Sequence, residues 1–424
     1  MVRLTGVLNQ FSNRKVLVAG DLMLDTYTIG KVQRISPEAP VAVVLVQREE
    51  HRPGGAGNVI LNLVSLGAQV VAVGRIGADP AGRHMQHALS EEGVDTRGIF
   101  VQKDLMTPVK NRVLADSQQI VRVDHEWKTV LSHELEQEII AKLPELLKEV
   151  DVVAISDYGK GFLSKGFLAA LISEAKKQKI PVIADPKGVD FSKYKHATIV
   201  KPNLGEAYAA ANLTPDMPLE LAAERILDIT NAETIMVTRS EAGISLFHRN
   251  GQRQDFPVRI REVKDVTGAG DTVLATLAYA LANELPLPTA VQLSNVTAGM
   301  AIERFGCARI TMSELARRLL EDDVSNKVFD DEHLFALQAA LGDKKFVLLS
   351  LSGEEGLTSK IFSTICNLAR QNELLIYIRD PHPDEEFIKL LASIHDVAFI
   401  VLKTESIHQL FDSMNPEQVH LVEV

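Results

Sequence analysis

The residues best equipped for chemistry lie in the stretch Asp265-Val-Thr267-Gly268-Ala269-Gly270-Asp271-Thr272, which runs straight into the apolar segment Val273 to Leu281. Two glycines let a backbone turn come close to an anion, and the free N–H groups opening the following helix then face a phosphate with the helix dipole behind them. Asp271, just inside that helix, is positioned to take a proton from a substrate hydroxyl while the amides offset charge on a moving phosphoryl group. The plainer reading, in which Gly-Ala-Gly only turns the chain and Asp271 only favours the dipole, is equally compatible with these eight residues alone. No G-x-x-x-x-G-K-[ST] loop and no complete G-x-G-x-x-G occurs, so phosphate binding needs another device, and this loop is the best candidate.

Three further stretches carry polar groups at the ends of strands or helices. Lys201-Pro-Asn203-Leu204-Gly205-Glu206 follows a strand; Asn with Glu three residues later is a helix capping box, or an amide and carboxylate near nucleotide phosphates that hold Mg²⁺ through water. Gly20-Asp21-Leu-Met-Leu-Asp25 follows the first strand, and Arg52-Pro-Gly54-Gly55-Ala-Gly57-Asn58 opens a helix. Carboxylates and amides there suit sugar hydroxyls, at strand and helix ends, where ligands of open α/β folds collect. An ordinary glycine turn and a solvated loop explain them as well. Trp127, Cys307 and Cys366 are assigned to packing, and no Ser-His-Asp, Cys-His or zinc pattern is present.

The elements that must hold these groups follow from hydrophobic patterning. Short Val- and Ile-rich runs alternate with segments of helical period, so the fold class is α/β with a doubly wound, mostly parallel sheet. The predicted strands are 15–20, 70–76, 151–155, 181–185, 198–201 and 234–238. Val41 to Val46, and the pair Val109–Leu114 and Gln119–Asp124, break the rhythm as antiparallel strands, which reads as a small β lid over a ligand. From Ser325 onward there are 8 Lys and Arg against 16 Asp and Glu, so this tail carries −8 of the net −11 and reads as a second, small Rossmann-like α/β unit. Its predicted elements are a helix around 330–341 and strands near 346–349, 374–378, 397–401 and 419–422. The expected domains are 1–324, a linker helix 325–343, and 344–424. The acidic balance excludes a general nucleic-acid or anionic-membrane binder, two cysteines exclude a disulfide framework, and no apolar run of membrane-spanning length appears near the N-terminus; a cytoplasmic location is expected.

Taken together, GDLMLD, RISPEAPV, RPGGAGN, ISDYGKG, ADPKG, KPNLGE, VTRSEAGIS and DVTGAGDT resemble the ribokinase-like (PfkB) carbohydrate kinases over roughly residues 10 to 320. The GAGD element marks that superfamily. RISPEAPV with DPKG and TRSE is similar to its heptose branch, the kinase half of bifunctional heptose 7-phosphate kinase and heptose 1-phosphate adenylyltransferases. The resemblance implies a ribokinase-like fold, ATP and Mg²⁺ as cofactors, Asp271 as catalytic base, and Gly268, Ala269 and Gly270 as anion hole. It further implies nucleotide contacts at Asn203, Leu204, Gly205, Glu206, Thr238, Asp265 and Thr267, with Glu206 reaching Mg²⁺ through water. Sugar contacts are implied at Asp25 and Asn58, with Asp21 able to take the same role and Gly54 and Gly55 beside them. The implied reaction phosphorylates the anomeric hydroxyl of a heptose 7-phosphate for lipopolysaccharide core synthesis.

A phosphorylated substrate requires cations, for which Lys110, Arg112, Arg122 and Lys187 are the candidates, with Arg112 or Arg122 expected to read the remote phosphate and Lys187 as the alternative; the plainer reading is that they are solvated charges. A kinase for another sugar phosphate, and a non-catalytic scaffold on a kinase fold, are the competing readings. The tail departs from the family: its strand leads into Ser350-Leu-Ser-Gly-Glu354-Glu355-Gly, it has no H-x-G-H, and His333, His382, His395, His408 and His420 are dispersed. It is expected to be a folded but silent nucleotidyltransferase-like domain, with adenylyl transfer supplied by a separate protein. A homodimer is expected.

Overall fold

The computed structural model describes residues 5–115, 118–258, 263–322, 327–329, 337, 346–352, 356–370, 373–380, 383–394, 396–402 and 419–423. The chain divides into two compact units, Ser12–Ile310 and a second made of Met1–Phe11 with Thr311–Val424. The helix Met312–Asp322 falls in the second unit, somewhat before the composition shift near Val324.

The larger unit contains, in chain order, β1 (Lys15–Gly20), β2 (Leu22–Ile35), β3 (Ala42–Gly55), α1 (Ala56–Leu66), β4 (Gln69–Gly77), α2 (Pro80–Glu91), β5 (Asp95–Gln102), β6 (Val109–Ala115), β7 (Gln118–His125), α3 (His133–Leu146) and β8 (Val152–Ser156). It continues with α4 (Lys165–Lys177), β9 (Val182–Asp185), β10 (Ile199–Val200), α5 (Leu204–Ala210), α6 (Leu219–Thr230), β11 (Thr234–Thr238), β12 (Ile244–His248), β13 (Arg253–Phe256), α7 (Ala269–Ala282) and α8 (Leu287–Ile302). Nine strands form one sheet in the order β13-β12-β11-β10-β9-β8-β1-β4-β5. The seven strands from β11 to β5 are mutually parallel, and β12 and β13 complete the edge antiparallel. Chain order reverses at β1, which has β4 on one side and β8 on the other, so the carboxyl ends of β1 and β8 frame a switch-point crevice.

All six predicted sheet strands are present within a few residues of their expected bounds, because strands buried on both faces are continuous Val and Ile runs. One face packs α3, α4 and α6 onto Leu17, Val153 and Ile155. The other carries α7, whose Leu274 and Leu277 are fully buried; at ~1.5–3 kcal/mol per buried leucine, this packing holds the amino end of α7 rigidly over the sheet.

The lid is a four-stranded sheet in the order β3-β2-β6-β7. Only Asp21 separates β1 from β2, so the lid grows directly out of the central strand. β2 pairs antiparallel with β3 and parallel with β6, and β6 pairs antiparallel with β7. The lid exceeds the expectation: β3 runs on through Arg48, Glu49 and Glu50 to Gly55, and β2 has no counterpart among the predicted strands. Both carry charged and polar residues through most of their length, so they do not stand out as apolar runs; β5, β12 and β13 also have no counterpart among the predicted strands. Trp127 is 65% exposed, which corrects its assignment to packing; it lies in the irregular segment after the lid.

In the second unit, α9 (Met312–Asp322) precedes β14 (Val328–Phe329), β15 (Phe346–Leu351), α10 (Ser359–Ala369), β16 (Glu373–Ile378), α11 (Glu385–Ser393), β17 (Phe399–Val401) and β18 (Val419–Glu423). The five strands are all parallel in the order β14-β17-β16-β15-β18, the reversal about β15 that a Rossmann-like half shows. Phe387 and Leu391 of α11 enter its core with Ile388, whereas Leu390 points outward. The expected helix around 330–341 lies almost wholly outside the described residues, as do Glu354, Glu355, His333, His382, His395 and His408. Among the described residues no helix is long and apolar enough to cross a membrane.

Candidate active site

The loop 265–268 delivers α7 into the crevice. Gly268 caps the helix at φ 78° with no side-chain cap, so the first-turn amides have no intrahelical carbonyls; Ala269 N–H meets Val266 O of the preceding loop at a long 3.3 Å. A Cβ on Gly268 would lie 2.8 Å from Asn58 Nδ2, so glycine is needed there for space as well as for its torsion angle. Asp265 stabilises the turn: Oδ1 accepts from Thr267 N–H and Oδ2 from Gly306 N–H, both at 2.9 Å, and these donors hold its carboxyl below the usual range. Its two oxygens are thus engaged within the protein.

Asp271, 4% exposed, sits in the first turn of α7. Its Oδ2 accepts from Asn58 Nδ2 at 2.8 Å and its Oδ1 from the Tyr158 hydroxyl at 2.6 Å. Burial raises its pKa, against the two donors and Lys201, which lower it, with Asp25 adding to the rise. Asn58 therefore comes to the site through Asp271, held on α1 at the end of the glycine turn.

Asp21 follows β1 and is equally buried, yet its oxygens serve the backbone: Oδ2 accepts from Tyr158 N–H at 2.9 Å and Lys160 N–H at 3.0 Å, and Oδ1 from Phe162 N–H at 3.3 Å. It clamps the loop after β8. Asp25 instead lies in β2, buried in the lid base rather than in a solvated loop, and its Oδ1 bonds Arg112 Nη1 at 2.5 Å. Gly54 faces it so closely that a Cβ would fall 2.0 Å from Asp25 Oδ2. Gly55 turns the chain into α1 at φ 57°.

Register decides which lid residues share a face. Asp25 pairs with Arg52 and with Lys110, Tyr27 with Arg112, and Arg112 with Arg122, so these side chains alternate onto one side. The Tyr27 ring lies between Arg52 at 5.4 Å and Arg112 at 5.5 Å. The four predicted cations then separate. Arg112 is bonded to Asp25, Arg122 is bound to Asp124 through both carboxylate oxygens, and Lys187 bonds Glu206 at 2.8 Å. Lys110 has no carboxylate partner among the described residues; its Nζ lies 5.7 Å from the centre of the Tyr158 ring.

Asn203 and Glu206 form the capping box in full, with Glu206 N–H to Asn203 Oδ1 at 2.9 Å and Asn203 N–H to Glu206 Oε2 at 3.0 Å. Asn203, Leu204 and Gly205 are nevertheless exposed at the carboxyl end of β10, and Asn203 bridges to Thr238 at the end of β11. Tyr158, Asp185 and Lys201 lie within the sequence motifs but carry no assigned role there. Lys201 is 2% exposed, bonds Asp185 at 2.9 Å, and its Nζ lies 4.0 Å from where a Cβ on Gly270 would sit. It places a buried cation beside the anion loop. Loss of solvent, with Lys201 opposing, pushes Asp185 up to about 6. Their position, at or just past the ends of strands bordering the switch point, is the signal that would have marked them.

A buried carboxylate at an uncapped helix start, a cation beside it and a lid of polar residues above define a phosphoryl-transfer fold of the sugar-kinase kind. The pfkB family carbohydrate kinase profile matches residues 13–314, and the chain belongs to that family; it is a carbohydrate kinase. It is 46% identical over 333 residues to the bifunctional protein HldE of Trichlorobacter lovleyi, covering 78% of this chain and 68% of that one. The HldE of Geobacter sulfurreducens is 46% identical over 305 residues, covering 72% and 62%. The chain therefore spans 62–68% of the length of these two relatives. Among solved structures, Arabidopsis thaliana ribokinase complexed with ribose and ATP superposes with a TM-score of 0.58 at 17% identity, covering 73% of this chain and 99% of that one; the likeness shows the ribokinase-like fold.

Proposed function

We propose that the chain transfers the γ-phosphoryl group of ATP to the anomeric hydroxyl of D-glycero-β-D-manno-heptose 7-phosphate, giving the 1,7-bisphosphate for lipopolysaccharide core synthesis. The observation that carries the reading is Asp271, buried at the uncapped amino end of α7 and aimed by Asn58 and Tyr158. Its likeness to HldE proteins supports the choice of substrate. In this reading Asp271 takes the hydroxyl proton, and the amides of Gly268 and Gly270, with that of Ala269 exchanging its long bond to Val266 O for the phosphoryl oxygen and Lys201 beside Gly270, offset charge on the transferring group. Asp25 orients sugar hydroxyls, and Asn203 to Glu206 with Thr238 border the nucleotide. A panel of sugar phosphates tested for ATP consumption with the purified chain checks the substrate: turnover confined to a different sugar phosphate rejects the heptose assignment.

ATP and Mg²⁺ belong to the same proposal. Among the described residues no group of three or more His, Cys, Asp or Glu is arranged to hold a metal, and both Glu206 oxygens are already engaged, by Lys187 and Asn203 N–H. These residues fit a Mg²⁺ bound mainly by phosphate oxygens and water, with Glu206 reaching it through a water. Bound there, the ion neutralises phosphate charge.

Lys110, the cation left without a carboxylate, is proposed to read the remote phosphate, in place of Arg112 or Arg122 and of Lys187, each of which is already paired. Removing a charge-assisted hydrogen bond of ~1.5–3 kcal/mol predicts that Lys110→Met raises KM for the sugar phosphate about 10- to 100-fold and leaves KM for ATP nearly unchanged. Arg122→Gln, already satisfied by Asp124, changes either constant by less than about threefold. Steady-state kinetics with each substrate varied checks this; equal effects of Lys110→Met on both constants count against it.

The second unit is proposed to be a silent nucleotidyltransferase-like domain, with a separate protein supplying adenylyl transfer; the absence of H-x-G-H from its sequence supports this. Incubation of the full chain with heptose 1-phosphate, ATP and Mg²⁺ is expected to yield no ADP-heptose or pyrophosphate above a no-enzyme control. Their appearance would falsify the silent-domain assignment. A cytoplasmic homodimer is part of the proposal, and the exposed Leu45, Val46, Ile120, Val121 and Val123 on the lid support self-association.

A further inference from the structure

The Tyr158 hydroxyl is 2.6 Å from Asp271 Oδ1, while Asn58 Nδ2 occupies Oδ2 at 2.8 Å, so both oxygens of the buried carboxylate accept a bond from a neutral donor. We propose that Tyr158 is a positioning residue: its hydroxyl, with Asn58 as the second donor, keeps Asp271 ionised and aimed at the acceptor hydroxyl during turnover. The inference rests on Asp271 being the base.

Tyr158 is held from two sides for this task. Its own N–H donates to Asp21 Oδ2 at 2.9 Å, and the same carboxylate gathers Lys160 N–H and Phe162 N–H, so the loop after β8 is clamped to the carboxyl end of β1. The guanidinium of Arg75, buried in β4, bonds the carbonyls of Thr129 and Lys160 and stiffens the same loop from the other strand. Lys110 Nζ lies over the ring.

Groups from six places in the fold face Asp271. Asn58 faces it from α1, Tyr158 from the loop after β8, Lys201 from the end of β10, Asp25 from β2, Asp185 from the end of β9, and Cys307 from the segment after α8. Burial and Asp25 favour the neutral acid; Asn58, Tyr158 and Lys201 favour the carboxylate. The Cys307 thiol is pushed up to about 12 and stays neutral, and the Tyr158 phenol is held far above its ordinary value, so it remains a donor at every working pH. Removing the Tyr158 hydroxyl takes away a stabiliser of the charged form, so the Asp271 pKa rises further. The ionised form accepts the proton; activity is therefore lost on the acid side and regained as pH rises.

The test is the pH dependence of kcat/KM for heptose 7-phosphate, measured on the full chain carrying Tyr158→Phe, with Asp271→Asn in parallel. The acid limb is expected to move up by about one pH unit, with about tenfold lower activity at its foot and convergence with wild type at the alkaline end. KM for ATP stays unchanged. Asn58→Ala, which removes the second donor, is expected to move the limb in the same direction and keeps the proposal testable should Tyr158→Phe fail to fold. An acid limb that superimposes on wild type, or a loss uniform across pH, overturns the proposal. Activity surviving in Asp271→Asn overturns the assignment of the base instead, so the two failures are told apart.

Discussion

Asp271→Asn is expected to abolish sugar-dependent ATP turnover, by about a hundred- to ten-thousand-fold, while the fold and the nucleotide affinity persist. The substitution keeps the planar side chain, and an amide in this position still bonds Asn58 through its oxygen and Tyr158 through a rotated hydroxyl. It also replaces a buried carboxylate, whose loss of solvent is the largest influence on its pKa, with a neutral group, so the melting temperature should not fall. What disappears is the proton acceptor. A coupled ADP-release assay with sugar phosphate present and absent, together with nucleotide titration, separates chemistry from binding. Near-normal turnover would mean that the proton leaves by another route and that Asp271 is only a dipole partner of α7.

Gly268→Ala is expected to cost about a hundredfold in kcat with a smaller loss of stability. At φ 78° an alanine is strained by ~1–2 kcal/mol, and its Cβ would come to 2.8 Å from Asn58 Nδ2 and 3.4 Å from Cys307 Sγ. Asn58 must then yield, and it holds Asp271 Oδ2. A displacement of roughly 1 Å in a positioned catalytic group costs on the order of a hundredfold. The rate should therefore fall much further than the strain alone accounts for, a split read from kcat and melting temperature on one preparation. A kcat within about threefold of wild type would show that the anion loop tolerates movement and that its geometry does not limit the reaction.

Local preference was enough for the parts of the molecule that depend on short windows of sequence. Continuous Val and Ile runs name strands buried on both faces, the Gly-Ala-Gly turn names a helix start, and Asp271 falls in the first turn of α7. Those properties come from backbone sterics and from burial repeated at fixed spacing, so Asp271 and its loop are legible in the amino-acid sequence alone. The pairing of charges is not. Asp21 and Asp25 are four residues apart and look interchangeable in sequence, yet one is consumed by three backbone amides of a loop some 137 to 141 residues away and the other meets Arg112 across the lid. Lys110, Arg112 and Arg122 are alike as exposed-looking cations, and only the register of β2, β3, β6 and β7 shows which already has a carboxylate. Tyr158 and Lys201 escape for the same reason: a tyrosine or lysine after an apolar strand acquires its role from what other strands bring within hydrogen-bonding reach of it. Hydrogen bonds and ion pairs act over a few ångströms between residues far apart in the chain, and tertiary structure alone decides which of them meet.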